Sequence, residues 1–314
     1  MKRDYDWSSI VHKVEIVDKQ PTLPPGTIET EYEKAPMKVS WIPADVPVTK
    51  ENLLKHLETT EEERRRIWTI DQREPEWLRH RLGRLSGSKV GSAADHNKYE
   101  SSQRLIHKWL YVPQKDNYAM KWGRDHEDEA RESYRMMRIN QFANGKYPIE
   151  FEPPPKYLDP DYQTITDVVP VDPNEISDKP YTNTIEVRGL VVHPTIPWFG
   201  YSSDGEVTET DDHGLLEIKC PQKKPYPEIP WSYYDQIQFG MFNFGLKWCD
   251  FFAWTPTQTS LHRFAFNEDY WNHDLFPKLE DFYMNRFLPE AIVAIEKERA
   301  WDPSTAKFTK KLHI

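Results

Sequence analysis

In the run "GLLEIKCPQ" (214–222), Glu217 and Lys219 stand two residues apart among apolar neighbours. Leu215, Leu216 and Ile218 read as a short buried strand, whose side chains alternate between faces. The acid and the amine therefore share one side, and Leu216 and Ile218 share the other. Such a pair is either a structural ion pair or part of a site. Upstream, "YSSDGEV" reads as a second strand carrying Asp204, and the intervening "ETDDHG" is rich in turn residues. A hairpin closing near residues 210 and 211 sets Asp204 opposite Glu217, with Cβ atoms roughly 5 Å apart. Carboxylates at that distance repel unless a cation lies between them. The pattern points to an all-oxygen site for a divalent metal, Mg²⁺ by ligand type. Lys219 would hold or activate a water, or stabilise charge on a phosphate. Gly205 lets the backbone beside Asp204 approach a substrate.

A third acid comes from "KWGRDHEDEARESYRMM". Helical projection sets Glu127 beside the stripe of Ala130, Tyr134 and Met137, while Asp125, Asp128, Glu129 and Glu132 project to the opposite side. A carboxylate held against a core needs a partner, whereas a slight rotation of the helix would leave Glu127 an exposed surface acid. "EWLRHRLGRLSGSKVGSAADH" has the opposite character. Its arginines and lysine surround small residues that can open a helix near Ser86, a composition suited to phosphate as well as to an ordinary capped helix.

The elements that must position these groups follow from periodicity. Helical patterns run over 49–70 with Thr49 as N-cap, then over 86–96, 101–113, 122–140, 231–246 and 268–299. Strand-like runs cover 184–192, 199–207, 214–220 and two stretches within 248–266. The class is α/β or α+β, a central mixed sheet flanked by helices. Residues 1–70 read as an N-terminal extension, an extended proline-containing arm followed by a helix. Residues 71–314 read as the main domain, with a proline-rich acidic insertion near 147–182. The 314 residues carry a net charge of −10, which argues against a generic nucleic-acid binder. The charge is uneven, however: residues 77–124 sum to +7 and residues 150–212 to −11. That suits a protein that grips a polyanion and also binds cations, and equally a solvated surface whose charge has no specific task. Two cysteines are too few for a disulfide framework or a four-cysteine metal site. The absence of a long apolar run and of a signal-peptide core leads to the expectation of a soluble, intracellular protein.

In order, "WLRHRLGRLSGSKVG", "WGRDHEDEAR", "VVHPTIPWFGYSSDGEV", "LLEIKCPQ" and "YYDQIQFGMF" resemble the YqaJ/phage-lambda-type exonucleases of the PD-(D/E)xK superfamily, over roughly residues 71–266. The resemblance implies a restriction-endonuclease-like core. It also implies a Mg²⁺-dependent 5′→3′ exonuclease, with Mn²⁺ substituting, that degrades one strand of linear duplex DNA to 5′-mononucleotides in recombination, repair or viral genome processing. Carried over, Asp204 and Glu217 are the metal carboxylates, with the Ile218 carbonyl as a further ligand and Glu127 as the helix acid on the metal or its waters. Lys219 is the catalytic lysine, Gln238 the glutamine near the active centre, and Arg81 and Ser88 bind the 5′-phosphate. Ser203 stands where the family usually has proline. The implied partners are duplex DNA ends, a single-strand annealing protein and two further copies in a homotrimer, with no membrane. A viral member would work in the cytoplasm or nucleus of its host. Two other readings share the core: a DNA endonuclease, and a catalytically inactive DNA-binding module.

Overall fold

The stretch "WCDFFAW" forms the centre of the molecule. In the computed structural model it is strand Trp248–Trp254, buried along its whole length, as a strand covered on both faces must be. The structure describes residues 28–32, 36–72, 74–113, 117–144, 150–163, 183–209, 212–302 and 308–312. Residues 1–27 and 33–35 of the expected arm, and 147–149 and 164–182 of the expected insertion, lie outside the described residues.

In chain order the elements are β1 (Ile28–Tyr32), α1 (Lys50–Lys55), α2 (Glu61–Trp68), α3 (Pro75–Arg81), β2 (Leu85–Ser86), α4 (Gly87–Ala93), α5 (Ser102–Tyr111) and α6 (Tyr118–Ala143). Then come β3 (Asn183–Glu186), β4 (Val191–Val192), β5 (Phe199–Tyr201), β6 (Gly205–Glu209), β7 (Asp212–Lys219), α7 (Trp231–Phe244), β8 (Trp248–Trp254) and β9 (Thr259–Ala265). A helical run from Glu268 to Ala300, termed α8, and β10 (Phe308–Leu312) close the chain.

The main sheet has the order β3-β6-β7-β8-β9. Its pairs are antiparallel except β7 with β8, which run parallel and are joined through α7. A smaller sheet, β2-β5-β4, stands beside it. The main sheet is covered on both faces. On one, Ala130 and Tyr134 of α6 pack against Val207, Leu216, Ile218, Phe252 and Trp254. On the other, Leu215, Cys249 and Phe251 join a large cluster with Ile237, Phe239 and Met241 of α7 and the apolar residues of α8. The mixed α/β architecture expected from the sequence is the one observed.

Contacts divide the chain into Pro36–Trp301 and a separate piece made from its two ends. In that piece β1 and β10 pair antiparallel, from Ile28 opposite Leu312 to Tyr32 opposite Phe308. The division therefore does not fall at residue 70. Val39, Ile42, Leu53 and Leu57 are buried members of the main core, and Glu298 accepts hydrogen bonds from the N–H groups of Val39 and Ser40. The helix expected over 49–70 is broken in two. Thr60 and Glu63 bond each other's backbone in a capping box, which starts α2 afresh. Helix α3 was not expected. Its signal is Pro75 at the first position with Glu76 beside it and basic residues in the last turn.

Candidate active site

The β6–β7 hairpin sets the geometry. Its register pairs Glu209 with Asp212 and Gly205 with Leu216, so the same progression places Asp204 across from Glu217. Alternation on β7 sends Leu216 and Ile218 towards α6 and Glu217 towards α7. Lys219 shares the side of Glu217, and its Nζ donates to Glu217 Oε1 at 2.5 Å. Asp204 Oδ2 accepts the Ile218 N–H at 2.6 Å, which ties the acid to the strand carrying the other two groups.

Glu217 is buried, and each of its oxygens is held. Tyr201 OH donates to Oε2 at 2.6 Å, and Gln236 Nε2 donates to Oε1 at 2.6 Å. Tyr201 comes from the small sheet and Gln236 from α7, so two packed elements fix one carboxylate. Glu127 reaches the same site from α6. Its side chain is one-third exposed and accepts from Arg131 Nη2 at 2.5 Å, while Arg131 Nε donates to the Asp204 carbonyl at 2.9 Å. One arginine thus links the helix acid to the hairpin.

The electrostatics show how tightly the acids are gathered. Burial raises the Asp204 pKa well above its ordinary value, and the charges of Glu217 and Glu127 add to the rise. Burial likewise raises Glu127, with Asp128 and Glu217 adding to it against the opposing effect of Arg131. For Lys219, burial works against the charged form, but Glu217 and Asp204 outweigh it and the pKa rises. The lysine is therefore an ammonium at neutral pH and can donate but not accept. Burial, followed by the charges of Asp204 and Glu127, pushes the neighbouring Cys220 thiol up to about 12, so it is no nucleophile.

Among the described residues, no three His, Cys, Asp or Glu side chains are arranged to hold a metal ion as they stand. As they stand, both oxygens of Glu217 and one oxygen each of Asp204 and Glu127 accept hydrogen bonds from protein donors. The donor chemistry nevertheless suits a hard divalent cation. The donors are all oxygen, and the mutual repulsion of the acids, which adds to the effect of burial on Asp204 and Glu127, is one that a cation would relieve.

Gln238 stands elsewhere. It donates to the Ala265 carbonyl at 3.0 Å and accepts the Asn267 N–H at 2.8 Å, bonds that join α7 to the end of β9. The glutamine on Glu217 is Gln236. Arg81 and Ser88 are also not joined: Arg81 Nη2 donates to Ser86 Oγ at 3.1 Å, and Ser88 is exposed on the first turn of α4. Gly87, between the two serines, is where this segment meets the acid site. A Cβ there would lie 2.3 Å from Tyr201 Cε2 and 3.3 Å from Gln236 Cγ. Only glycine lets the turn press against the two side chains that hold Glu217.

Tyr201, Gln236 and Arg131 carried no signal in the sequence beyond their residue types. Among the described residues no helix is long and apolar enough to cross a membrane.

No curated protein matches the chain in sequence. Among solved structures it is similar to an alkaline exonuclease (LHK-Exo) from Laribacter hongkongensis, at 24% identity and a TM-score of 0.45, covering 72% of this chain and 98% of that one. The same protein in complex with dAMP gives the same values. Residues 76–145, which include Arg81, Ser88 and Glu127, match the YqaJ-like viral recombinase domain, the family whose motifs the sequence resembles.

Proposed function

We propose that the protein is a metal-dependent deoxyribonuclease, a 5′→3′ exonuclease that hydrolyses one strand of linear duplex DNA and releases 5′-mononucleotides. The observation that carries this reading is the convergence of Asp204, Glu217 and Lys219 through the β6–β7 register, with Glu127 brought to them by Arg131. The match over residues 76–145 supports it.

Asp204, Glu217 and the Ile218 carbonyl would hold the cation, with Glu127 on it or on its waters. Mg²⁺ is the expected ion and Mn²⁺ the substitute. Once bound, such a cation supplies a nucleophilic water near neutral pH and offsets charge on the phosphate. The chain's own groups do the rest. Tyr201 and Gln236 keep Glu217 in one orientation. Lys219, protonated, donates to the attacking water or to a phosphate oxygen and balances the charge that develops there. Arg131 fixes the distance between α6 and the hairpin. Arg81, with the serines near it, meets the 5′-phosphate. The resemblance adds a homotrimer and a single-strand annealing protein to the proposal.

The test is digestion of linear and covalently closed circular duplex DNA with Mg²⁺, beside Lys219→Ala. The expected result is release of mononucleotides from linear DNA only, and near-complete loss in the variant. Cutting of the circle would favour an endonuclease, and an active Lys219→Ala would overturn the mechanism.

A further inference from the structure

Ser86 Oγ accepts two cationic donors, Arg81 Nη2 at 3.1 Å and Lys89 Nζ at 3.3 Å. Arg81 lies over the Trp77 ring, 4.3 Å from its centroid, and Lys89 over the Trp109 ring at 4.1 Å. Among the described residues, neither cation forms an ion pair with a carboxylate. The contrast with the adjacent Arg84 is instructive. Arg84 is buried and donates to the carbonyls of Pro197, His80 and Leu57, the arrangement of a guanidinium with a structural task. Arg81 and Lys89 instead share one neutral hydroxyl, which has two lone pairs and no charge to give. Burial, and then the charge of Arg81, pushes the Lys89 pKa down to about 7, and burial pushes Arg81 down to about 10. Two basic groups held side by side between aromatic walls suit a doubly charged anion, whose presence would favour the charged form of both.

The position of the pair adds to this. Ser86 precedes Gly87, which presses on Tyr201 and Gln236, and both of those hold Glu217. The cation pair therefore stands one residue from the elements that orient the acid site.

We propose that Lys89 is a specificity-determining residue for the end of the DNA: with Arg81 and Ser86 it takes a terminal phosphate monoester in preference to an internal phosphodiester. The inference rests on the exonuclease reading and adds a residue that the family resemblance does not supply. A phosphodiester carries one negative charge, which Arg81 alone can match. A terminal monoester carries close to two at neutral pH. The second charge gives Lys89 a partner and relieves its repulsion with Arg81. The Ser86 hydroxyl, no longer shared by two donors, can then give its own proton to a phosphate oxygen.

The experiment compares wild type, Lys89→Met and Lys89→Arg on the same linear duplex with a 5′-phosphate or a 5′-hydroxyl, measuring kcat and KM for each end. Wild type should prefer the phosphorylated end. In Lys89→Met the ratio of kcat/KM between the two ends should fall about tenfold, mainly through KM, as expected for loss of one charge-assisted contact. Lys89→Arg should recover most of the ratio. If Lys89→Met keeps the wild-type ratio, the proposal is overturned, and an equal loss of rate on both ends would make Lys89 merely structural. A wild type indifferent to the phosphate would instead refute the end-recognition reading beneath it. Thermal melting of each variant shows that the comparison is made on folded protein.

Discussion

Replacing Glu209 with glutamine tests how the helix that carries Glu127 is fastened to the sheet. Glu209 is buried at the end of β6. Arg138 of α6 grips it with Nε at 2.7 Å and Nη2 at 2.9 Å. Arg263 of β9 reaches it at 3.0 Å while also bonding Asp250 at 2.7 and 2.9 Å, and Tyr134 closes the network on Asp250 at 2.7 Å. Two routes lead to the magnitude. Burial alone would raise the Glu209 pKa, but Arg138 and Arg263 outweigh it and bring the value down from 4.5 to about 2. That difference corresponds to about 3 kcal/mol at neutral pH. Separately, removing one partner of a buried ion pair typically destabilises by about 3–5 kcal/mol. The two routes agree, so Glu209→Gln should lose roughly 3 kcal/mol in urea unfolding at pH 7. A carboxyl whose folded pKa is depressed stabilises fully above its unfolded value, here near 4.5. It loses that contribution as pH falls through the folded value near 2. The gap between wild type and variant should therefore be level above about pH 5.5 and narrow steadily below 4.5. A loss under about 1 kcal/mol at pH 7, or a gap that widens on acidification, would refute the reasoning.

Three further outcomes are expected. Gly87→Ala drives a methyl group into the Tyr201 ring. The ring cannot retreat, because Gly240 also presses on it so closely that a Cβ there would lie 2.7 Å from Cζ. The variant should lose about 1–3 kcal/mol by thermal melting and lose more activity than that destabilisation explains. Asp204→Asn should abolish nuclease activity yet raise the melting temperature of metal-free protein by a few degrees, because it removes a carboxyl whose charge is opposed by burial and then by Glu217 and Glu127. A lowered melting temperature would contradict this. Gln236→Ala and Gln238→Ala should separate two roles. The first should depress turnover at a smaller cost in stability than the second, because Lys219 still bonds the same Glu217 oxygen. The second should leave buried groups of Ala265 and Asn267 unbonded, at about 2 kcal/mol, and spare turnover per folded molecule.

The hairpin was legible because two periodicities fixed it together. Strand alternation set the faces, and an Asp-rich turn set the point about which Asp204 and Glu217 are symmetric. Glu127 was legible because α6 is long enough for its apolar stripe to define a side. The two glutamines were not legible as alternatives. Residues two apart on a helix point in nearly opposite directions, so only the rotation of α7 against the sheet decides which one meets Glu217. The partner of Arg81 was hidden in the same way, because the chain passes from β2 into α4 at Ser86 and local patterns do not fix such a junction. The capping box at Thr60 was in the sequence as "TTEEE", and the apolar period running through it masked the break. Val39 and Ile42 belong to the core through contacts with distant segments, which no local period can announce.

The three acids and the side chains that hold them come from opposite faces of one sheet: Glu127 and Arg131 from the α6 side, Gln236 from the α7 side. The links that join the two sides connect residues distant in sequence, such as Arg131 with Asp204 and Gln236 with Glu217. A half-folded chain, with the sheet formed and only one face covered, therefore lacks either the helix acid or the support of Glu217. On refolding from urea, catalytic competence should emerge as one of the last events, after the far-ultraviolet signal of the sheet and helices has already recovered. The hydrolytic site is in this sense a lock that only the finished tertiary structure opens, and a nascent chain carries the acids without being able to cut.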